Sequence, residues 1–306
     1  MKVKIDLPRY AIHNKEELAW ISRSQPTLQL TEYMESLLIR ANVDYEIADL
    51  GSNKVVNMME IDGIRCAHLR FINYPGQFDI REVMRHNNAE YALCNWIVGD
   101  QKSIPRLINI GTMTFGYHGG VFGHPITWEL YDKMCAECCY RAVGNKILTY
   151  FDASRKFPES QDYPLLGTYR ATWKEVSKNI EGYVIDSDPT APSKIIDRVN
   201  DCLVAVTAPG TMPLQPDRTL MLLLAAGCGV ITPKIPDVFH KEQLVDGIHY
   251  ISCKEDYSDV ADIIREIDGR HEMLTQIGFN AKTWFRRNMT PNAIWNLIVK
   301  SVTNKL

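Results

Sequence analysis

Short apolar segments alternate with longer amphipathic segments through the second half of the chain. The apolar segments are rich in β-branched and aromatic residues and have the length of buried strands, and the segments between them have helical spacing. The predicted strands are 146–151, 182–186, 202–207, 229–232 and 248–252. Because parallel strands need crossover helices of this kind, the pattern predicts a doubly wound parallel sheet with helices on both faces.

The first half of the chain is less regular but contains both kinds of segment. An amphipathic helix is predicted over 30–43 and a buried strand over 91–98. Two apolar runs within 57–71 flank Asp62-Gly63, which indicates a tight β-hairpin. The pattern predicts an α/β fold with two Rossmann-like domains, in which parallel sheets have flanking helices and the N-terminal domain carries a β-hairpin insertion.

A domain boundary is predicted near residue 144. A cysteine-rich helical segment ends there at Gly144 and a strand begins, and glycine just past a helix favours its termination. The predicted domains are therefore 1–144 and 145–306. Pro291 interrupts the last helical stretch, and we expect the helix that follows it to pack back on the N-terminal domain.

The overall charge argues against one class of partner. The chain has 34 Lys and Arg against 37 Asp and Glu, a formal net charge of -3, whereas proteins that bind nucleic acid mainly through phosphates are usually basic. The N-terminal residues show no apolar core of signal-peptide length, and the longest apolar run, 220–231, is far shorter than a membrane span, so we expect a cytoplasmic protein. In that compartment the eight cysteines are expected to be reduced and mostly buried.

A glycine- and proline-rich segment after the predicted strand 202–207 suggests an anion site. The first residues of a helix that follows a parallel strand expose unpaired N–H groups and a partial positive charge. Arg218 stands at the start of such a helix and adds a bidentate donor for a phosphate. The alternative is that Arg218 is a surface cation or an ion-pair partner of Asp217.

The order of segments over 219–267 is a helix, an Ala-Gly step, a strand, the run Asp-Gly-Ile-His-Tyr-Ile, an acidic loop and a further helix. This order resembles the donor-binding domain of GT-B glycosyltransferases. The run HYISCKEDYSDV, residues 249–260, is most similar to the capsule-associated and protein O-glucosyltransferase group and to spore-maturation-type glycosyltransferases. The resemblance covers roughly 146–302.

The resemblance implies that the C-terminal domain binds a nucleoside-diphosphate sugar and the N-terminal domain binds the acceptor. It implies no cofactor besides this sugar donor. The donor-binding residues that it implies around the phosphates are Gly210, Thr211, Arg218 and Thr219. In one departure, many GT-B enzymes carry a glutamate in this helix, where Met221 and Leu222 stand here, and this argues against the retaining subclass.

A second basic group follows the first predicted strand of the C-terminal domain. It comprises Arg155, Lys156, Arg170 and Lys174, in or just after the loop. In the resembling enzymes a basic residue of this region meets the phosphates, so the resemblance assigns Arg170, with Lys174, to the donor site. Solvated surface charge is the alternative for the other three residues, Lys174 included.

Sugar transfer needs stabilisation of the departing diphosphate and benefits from a base near the acceptor hydroxyl. His118, in the glycine-rich run 115–125, is the first candidate for this base, and Asp79 is the second. The alternatives are a solvated turn for His118 and a helix N-cap for Asp79.

Two patterns that could bind a metal are weak on their own. The run 186–188, Asp-Ser-Asp, matches the D-x-D pattern of metal-dependent GT-A glycosyltransferases, but it is also typical of a turn and helix cap. The C-x-x-C pattern that begins at Cys135 would need His118 and His124 as further ligands, and this spacing does not match a zinc site. We therefore predict no bound metal.

Together these features predict a metal-independent, inverting glycosyltransferase that moves a hexosyl or pentosyl group from a nucleotide sugar. The acceptor is expected to be a glycan, a protein or a modified nucleic acid. Two alternatives stay open. One is a non-catalytic module that binds a nucleotide or sugar phosphate, and the other is a metal-dependent transferase that uses Asp186 and Asp188.

Overall fold

A computed structural model describes most of the chain, in separate segments. The described residues are 1–6, 26–52, 56–71, 79–96, 104–111, 127–149, 164–187, 194–207, 216, 218–237 and 241–303. They form two compact units with one β-sheet each. Unit 1 comprises Met1–Ile126, Val238–Lys241 and Asn288–Leu306, and unit 2 comprises Thr127–Asp237 and Glu242–Arg287.

Strands and helices follow one another through the described segments. The strands are β1 (Val3–Ile5), β2 (Glu46–Ile47), β3 (Val56–Ile61), β4 (Ile64–Phe71), β5 (Tyr91–Trp96), β6 (Leu107–Asn109), β7 (Lys146–Thr149), β8 (Val184–Asp186), β9 (Val204–Val206), β10 (Val230–Pro233) and β11 (Ile251–Cys253). The helices are α1 (Pro26–Arg40), α2 (Ile80–His86), α3 (Trp128–Glu137), α4 (Pro164–Ser177), α5 (Ile195–Asn200), α6 (Arg218–Ala226), α7 (Val260–Ile267), α8 (His271–Asn288) and α9 (Pro291–Val302).

The sheet of unit 1 is mixed and has the strand order β2-β1-β3-β4-β5-β6. Strands β3 and β4 pair as an antiparallel hairpin around the turn Asp62-Gly63. Both turn residues have positive φ, 50° and 88°, as a two-residue turn between twisted strands requires. The hairpin therefore lies in the middle of the sheet, and β4, β5 and β6 run parallel to one another beside it.

Two helices of unit 1 come from opposite ends of the chain. Helix α1 packs against β3 and β4 and buries Tyr33 and Leu37, and α9 packs against α1 and buries Ile294 and Ile298. Pro291 occupies the first turn of α9, where its missing N–H needs no partner. The last helix of the chain is therefore part of unit 1.

The sheet of unit 2 is entirely parallel and has the strand order β11-β10-β9-β7-β8. Its first strand, β7, lies between its second strand, β8, and its third, β9. The connections from β7 and β9 therefore leave in opposite directions, as in other doubly wound sheets. The inner strands β9 and β10 are buried along their whole length, as strands that are covered on both faces must be.

Helix α6 is the centre of unit 2. Every side chain from Thr219 to Ala226 is buried, and α3 packs against it. Helix α8 approaches the end of α6 closely, because Gly278 faces the backbone of Gly227. The same helix holds the end of α3, where Lys282 and Arg286 donate hydrogen bonds to carbonyl oxygens in its final turn and C-cap. Cations in this position interact favourably with the helix dipole.

The predicted α/β class, with parallel-rich sheets and flanking helices, is confirmed by this topology. The two units do not divide at residue 144, because α3 packs on α6 in unit 2 and α9 packs on α1 in unit 1. Helix α3 itself ends at Glu137, before Gly144, which lies in a separate turn with φ of 64°. All eight cysteines are free thiols, and all but Cys135 and Cys139 are buried.

No helix in the described part of the chain combines the length and the apolar character that a bilayer crossing requires.

The close approach of α6 and α8 predicts a sharp effect of one methyl group. A Cβ atom at position 278 would collide with the carbonyl oxygen of Gly227, and both partners belong to the backbone. We expect Gly278→Ala to lower the free energy of unfolding by about 2–3 kcal/mol, although alanine favours helices, because overpacking a fixed interior is costly. Urea denaturation measures the change.

Gln276→Ala is the matched control for this prediction, since it also places alanine in α8 but at an exposed position. It is expected to change stability by less than about 0.5 kcal/mol. Equal stability of Gly278→Ala and the control would contradict the close helix approach.

Candidate functional site

Unit 2 has its topological switch point between β7 and β9. In open parallel sheets a ligand crevice forms outside the carboxyl ends of two such strands, because the connections that follow them diverge. The sequence that follows β7 leads to α4, and the sequence that follows β9 leads to α6. A ligand crevice in unit 2 is therefore expected at the carboxyl ends of β7 and β9.

Aromatic side chains anchor both of these strand ends. Trp173 donates a hydrogen bond from Nε1 to Oγ1 of Thr149, the last residue of β7, at 3.1 Å. The hydroxyl of Tyr257 donates to the carbonyl oxygen of Thr207, just after β9, at 3.4 Å. The two aromatic rings pack against each other with their centroids 5.8 Å apart, and all four residues are buried. The edge at the switch point is therefore rigidly supported.

The backbone of Tyr257 is held in an uncommon conformation. Its φ is 56°, in the left-handed region that bulky residues rarely adopt. Such conformations cost about 1–3 kcal/mol and persist only where the surroundings enforce them. Here the bond to Thr207 and the packing on Trp173 supply that constraint.

Helix α6 is the next helix after β9 in the chain. Its first residue is Arg218, and Thr219 in the first turn is 5% exposed. The structure thus places the predicted arginine backbone at the start of the helix that follows β9. The side chain of Arg218 lies outside the described part of the structure, as do the predicted donor-binding residues Gly210 and Thr211.

The second basic group is only partly described. Arg170 and Lys174 both belong to α4, the helix that follows β7. Arg170 lies well inside α4 and not at its start, and its side chain is outside the described residues. Lys174 is exposed in the last turn of α4, and Arg155 and Lys156 are outside the described residues.

Asp186 has a structural partner. Its two carboxylate oxygens accept hydrogen bonds from Nη2 and Nε of Arg198, at 2.8 and 2.9 Å. The pair is largely buried, with 19% of the Asp186 side chain and 11% of the Arg198 side chain exposed. Asp188 is outside the described residues. Across the segments that the structure describes, no cluster of His, Cys, Asp and Glu could hold a metal ion.

The structure describes only one of the two candidate bases, Asp79. Asp79 is the N-cap of α2, and its carboxylate accepts a hydrogen bond from the backbone N–H of Arg81 at 2.9 Å. This is the capping role that was the alternative for Asp79. His118 and the further histidine His124 lie outside the described residues, and the role of His118 stays a prediction.

The run that carries the family resemblance builds a turn into β11. The carboxylate of Asp246 accepts the backbone N–H of Ser252 at 2.7 Å, and Gly247 has a φ of 73°. The hydroxyl of Tyr250 accepts the backbone N–H of Ile235 at 3.1 Å, which ties this turn to the segment after β10. These contacts are within unit 2 and give this run a structural role.

Unit 1 contains a group of buried polar side chains that the sequence analysis missed. Asn57, His68 and Asn95 lie on β3, β4 and β5, and each is at most 3% exposed. They stand near the carboxyl ends of the parallel strands β4 and β5. The signal in the sequence was a polar residue inside an apolar strand run, as in RCAHLRF and YALCNW.

A chain of hydrogen bonds runs from His68 to the end of the sheet. Nε2 of His68 is 2.6 Å from Oδ1 of Asn95, and Nδ2 of Asn95 donates to the carbonyl oxygen of Gly111 at 3.1 Å. The backbone N–H of Gly111 donates to Oδ1 of Asn109 at 2.9 Å. The hydroxyl of Tyr33 donates to the carbonyl oxygen of Ile110 at 3.2 Å.

This arrangement decides the tautomer of His68. Because the amide nitrogen of Asn95 donates to Gly111, its amide oxygen faces His68 and can only accept, so Nε2 of His68 carries the proton. Burial lowers the pKa of His68 to about 4, and the bond to Asn95 opposes this only in part. His68 is therefore a neutral imidazole at physiological pH.

Two polar atoms of this group have no hydrogen-bond partner among the described residues. They are Nδ1 of His68 and Nδ2 of Asn57, which stand directly opposite each other on paired strands. A buried polar atom without a partner costs about 1–3 kcal/mol. Apolar side chains would therefore stabilise this part of unit 1 better than the polar group does.

Comparisons with known proteins identify no family. No protein-family model and no curated protein matches the chain. The crystal structure of TarM aligns over 77% of this chain with 13% sequence identity and a TM-score of 0.41, and this chain spans 48% of the TarM chain. The crystal structure of a glycosyltransferase from Rickettsia africae ESF-5 aligns over 96% of this chain and 89% of its own, with 13% identity and a TM-score of 0.41. The similarity is too low to carry an argument, so the fold class rests on strand order and helix positions.

The pair of Asp186 and Arg198 predicts a measurable coupling energy. In a double-mutant cycle of Asp186→Ala and Arg198→Ala, we expect a coupling energy of about 1–3 kcal/mol, because the bidentate pair is largely shielded from water. The exposed pair of Glu175 and Lys178 is the matched control, for which less than about 1 kcal/mol is expected. If urea denaturation gives equal coupling energies for this pair and the control pair, the buried ion pair of Asp186 and Arg198 is contradicted.

The lowered pKa of His68 predicts acid sensitivity. The unfolded chain has a histidine pKa of about 6.5, so it binds a proton between about pH 6.5 and pH 4 that the folded protein excludes. His68 therefore gives no acid-dependent loss above about pH 6.5, and the free energy of unfolding falls progressively as the pH decreases towards 4. The expected loss is roughly 3 kcal/mol in the free energy of unfolding.

Urea denaturation at pH 7 and at pH 4 measures this loss, and His68→Gln is the control because glutamine does not titrate. The carboxylates titrate in both proteins, so the difference between the two pH dependences isolates His68. An identical pH dependence in both proteins would contradict the buried neutral histidine.

Proposed function

We propose that unit 2 binds a nucleoside-diphosphate sugar and that the chain is a glycosyltransferase. One observation carries the proposal: Arg218 is the first residue of α6, which follows β9 at the switch point of a doubly wound parallel sheet. The resemblance of 219–267 to donor-binding domains of GT-B glycosyltransferases supports the same assignment.

The start of α6 suits a diphosphate for physical reasons. The first N–H groups of a helix have no partner within the helix, and they carry a partial positive charge that favours an anion. A guanidinium at the same place adds bidentate hydrogen bonds to phosphate oxygens. Because the rest of α6 is buried from Thr219 to Ala226, its first turn is held in place and needs no rearrangement when a ligand binds.

The other strand at the switch point contributes the second basic group. Helix α4 follows β7 and carries Arg170 and Lys174. We propose that Arg170 is a second cation for the donor phosphates. Lys174 follows four residues later and is exposed in the last turn of the helix. Each of the two strands that flank the switch point is thus followed by a helix with an arginine.

We propose transfer without a metal, and these positive groups support this proposal. A helix start and a guanidinium together stabilise the negative charge that develops on the departing diphosphate. The carboxylate of Asp186, one half of the possible metal pattern, is already bonded to Arg198. We propose His118 as the base for the acceptor hydroxyl, since the carboxylate of Asp79 caps its own helix.

The inverting outcome is proposed from the composition of α6. The helix has no glutamate. Met221 and Leu222 stand in the region where many GT-B enzymes carry one, and both are completely buried. Neither can hydrogen-bond a donor ribose or sugar. The proposed acceptor is a glycan, a protein or a modified nucleic acid. The proposed transferred group is a hexosyl or pentosyl group.

A non-catalytic module that binds a nucleotide or a sugar phosphate is the second candidate function. The mixed sheet of unit 1 favours it, because only unit 2 has the doubly wound arrangement. Binding of a nucleotide sugar without hydrolysis or transfer would identify this function. A metal-dependent transferase would lose its activity in EDTA and regain it with Mn²⁺, whereas the proposed enzyme keeps its activity.

The test of the proposal uses binding and turnover together. The wild-type chain is screened against UDP-, GDP-, ADP- and CMP-sugars by thermal shift, and hydrolysis and transfer are then measured with each nucleotide sugar that raises the Tm. We expect Arg218→Ala to weaken binding of that nucleotide sugar about 10- to 100-fold, the typical cost of losing charged hydrogen bonds.

The matched control is Arg265→Ala, which removes an exposed arginine of α7 that pairs only locally, with Asp262. It is expected to bind and turn over the donor as the wild type does. Unchanged binding and activity in Arg218→Ala would remove Arg218 from the site, and the absence of any Tm shift with all four nucleotide classes would refute the proposed function.

A further inference from the structure

We propose that His68 is a positioning residue in unit 1, which acts through Asn95 to hold the peptide groups of Ile110 and Gly111 where the chain leaves β6. The consequence for catalysis rests on the proposed function, because the predicted base His118 belongs to the segment that follows Gly111 in the sequence. The structural part of the proposal does not depend on that function.

The hydrogen bonds converge on two consecutive residues. The carbonyl oxygen of Gly111 accepts from Asn95, its N–H donates to Asn109, and the carbonyl oxygen of Ile110 accepts from Tyr33. These side chains come from β5, β6 and α1, so three separate elements hold the same short stretch of backbone. A side chain from a fourth element, His68 on β4, orients the amide of Asn95.

Gly111 itself is at a position that only glycine tolerates. Its φ is 92°, and a Cβ atom there would collide with Cε of Met289. A backbone conformation of this kind needs neighbours that enforce it. The hydrogen bonds from Asn95 and Asn109 to the two polar groups of Gly111 provide that enforcement.

Stability does not account for His68. The imidazole makes one side-chain hydrogen bond, to Asn95, while Nδ1 has no partner in the described part of the protein, and the facing Nδ2 of Asn57 has none either. An apolar residue on β4 would avoid this loss. What an apolar residue cannot do is donate a hydrogen bond to Oδ1 of Asn95 and so hold its amide in the orientation that donates to Gly111.

This hydrogen-bond chain lies at the carboxyl ends of parallel strands, where α/β proteins bind ligands. Gly111 follows the carboxyl end of β6, and Asn95 is near the carboxyl end of β5, in a row of three parallel strands. Segments that leave this edge of a parallel sheet carry binding and catalytic groups. Fixing the exit of β6 therefore fixes where the following segment starts.

A matched pair of substitutions tests the structural part directly. His68→Gln keeps an N–H donor near the position of Nε2, whereas His68→Leu has similar volume and no donor. We expect the backbone amide of Gly111 to exchange its hydrogen about tenfold faster in His68→Leu than in the wild type, because the carbonyl of Gly111 is then held less firmly by Asn95 and the N–H leaves its bond to Asn109 more often. His68→Gln is expected to stay close to the wild type.

Ile108→Val is the control for general loss of stability, since it trims a buried side chain of β6 and touches none of these hydrogen bonds. It is expected to leave exchange at Gly111 near the wild-type rate. Equal exchange in His68→Leu and His68→Gln, or an equally fast exchange in Ile108→Val, would overturn the proposal.

Steady-state kinetics with the nucleotide sugar identified in the binding screen test the catalytic part. His68→Leu is expected to lower kcat about tenfold and to leave the KM for the donor unchanged, because the donor is bound by unit 2. His68→Gln is expected to restore most of kcat, and Ile108→Val to keep it. A raised donor KM, or equal loss of kcat in all three variants, would refute positioning by His68.

The two levels of failure are distinguishable. If the wild-type chain neither hydrolyses nor transfers any nucleotide sugar, the proposed function fails, and the exchange rates at Gly111 still decide the role of His68 in the fold. If the wild type is active and His68→Leu matches it in both exchange and kcat, the positioning role alone is wrong.

Discussion

The burial of α6 on every side is the constraint on which unit 2 depends. A nine-residue helix without a polar face has to be enclosed, and it is enclosed here by the sheet, by α3 and by the close approach of α8 at Gly278. Arg218 is the first residue of α6 and directly precedes this buried stretch. A guanidinium is costly to bury, so the end of a buried helix is a suitable position for it.

The two units place unusual polar or strained residues at the same kind of position. In unit 2 the carboxyl ends of β7 and β9 are braced by Trp173 and by Tyr257, which adopts a positive φ. In unit 1 the carboxyl ends of β5 and β6 are braced by Asn95 and Asn109. The positive φ of Tyr257 costs stability, and both arrangements stiffen the edge of a parallel sheet from which segments depart.

The strands of unit 2 could be predicted from the sequence because burial on both faces gives short, continuous apolar runs, and their order along the chain implies parallel pairing. Other features depend on partners far away in the sequence. Helix α3 ends at Glu137 and not near Gly144, and Lys282 and Arg286 of α8 hold its last carbonyl groups. Arg170 lies inside α4 because this helix begins at Pro164, and proline is a favoured first residue of a helix. The polar row of unit 1 had a signal, but its meaning appears only when three strands are adjacent.

Asn95 shows how a residue that is ordinary in the sequence gains a specific role in the fold. In the sequence it is one polar residue in an apolar strand, and strand propensity alone would treat it as a defect. In the structure its amide oxygen faces His68 and its amide nitrogen donates to the carbonyl oxygen of Gly111, and the reverse orientation would place two acceptors against each other at Gly111. The carbonyl of Gly111 therefore sets the orientation of the amide, and a neutral histidine with its proton on Nε2 matches this orientation and holds it. The low pKa of His68 keeps it neutral across the physiological range.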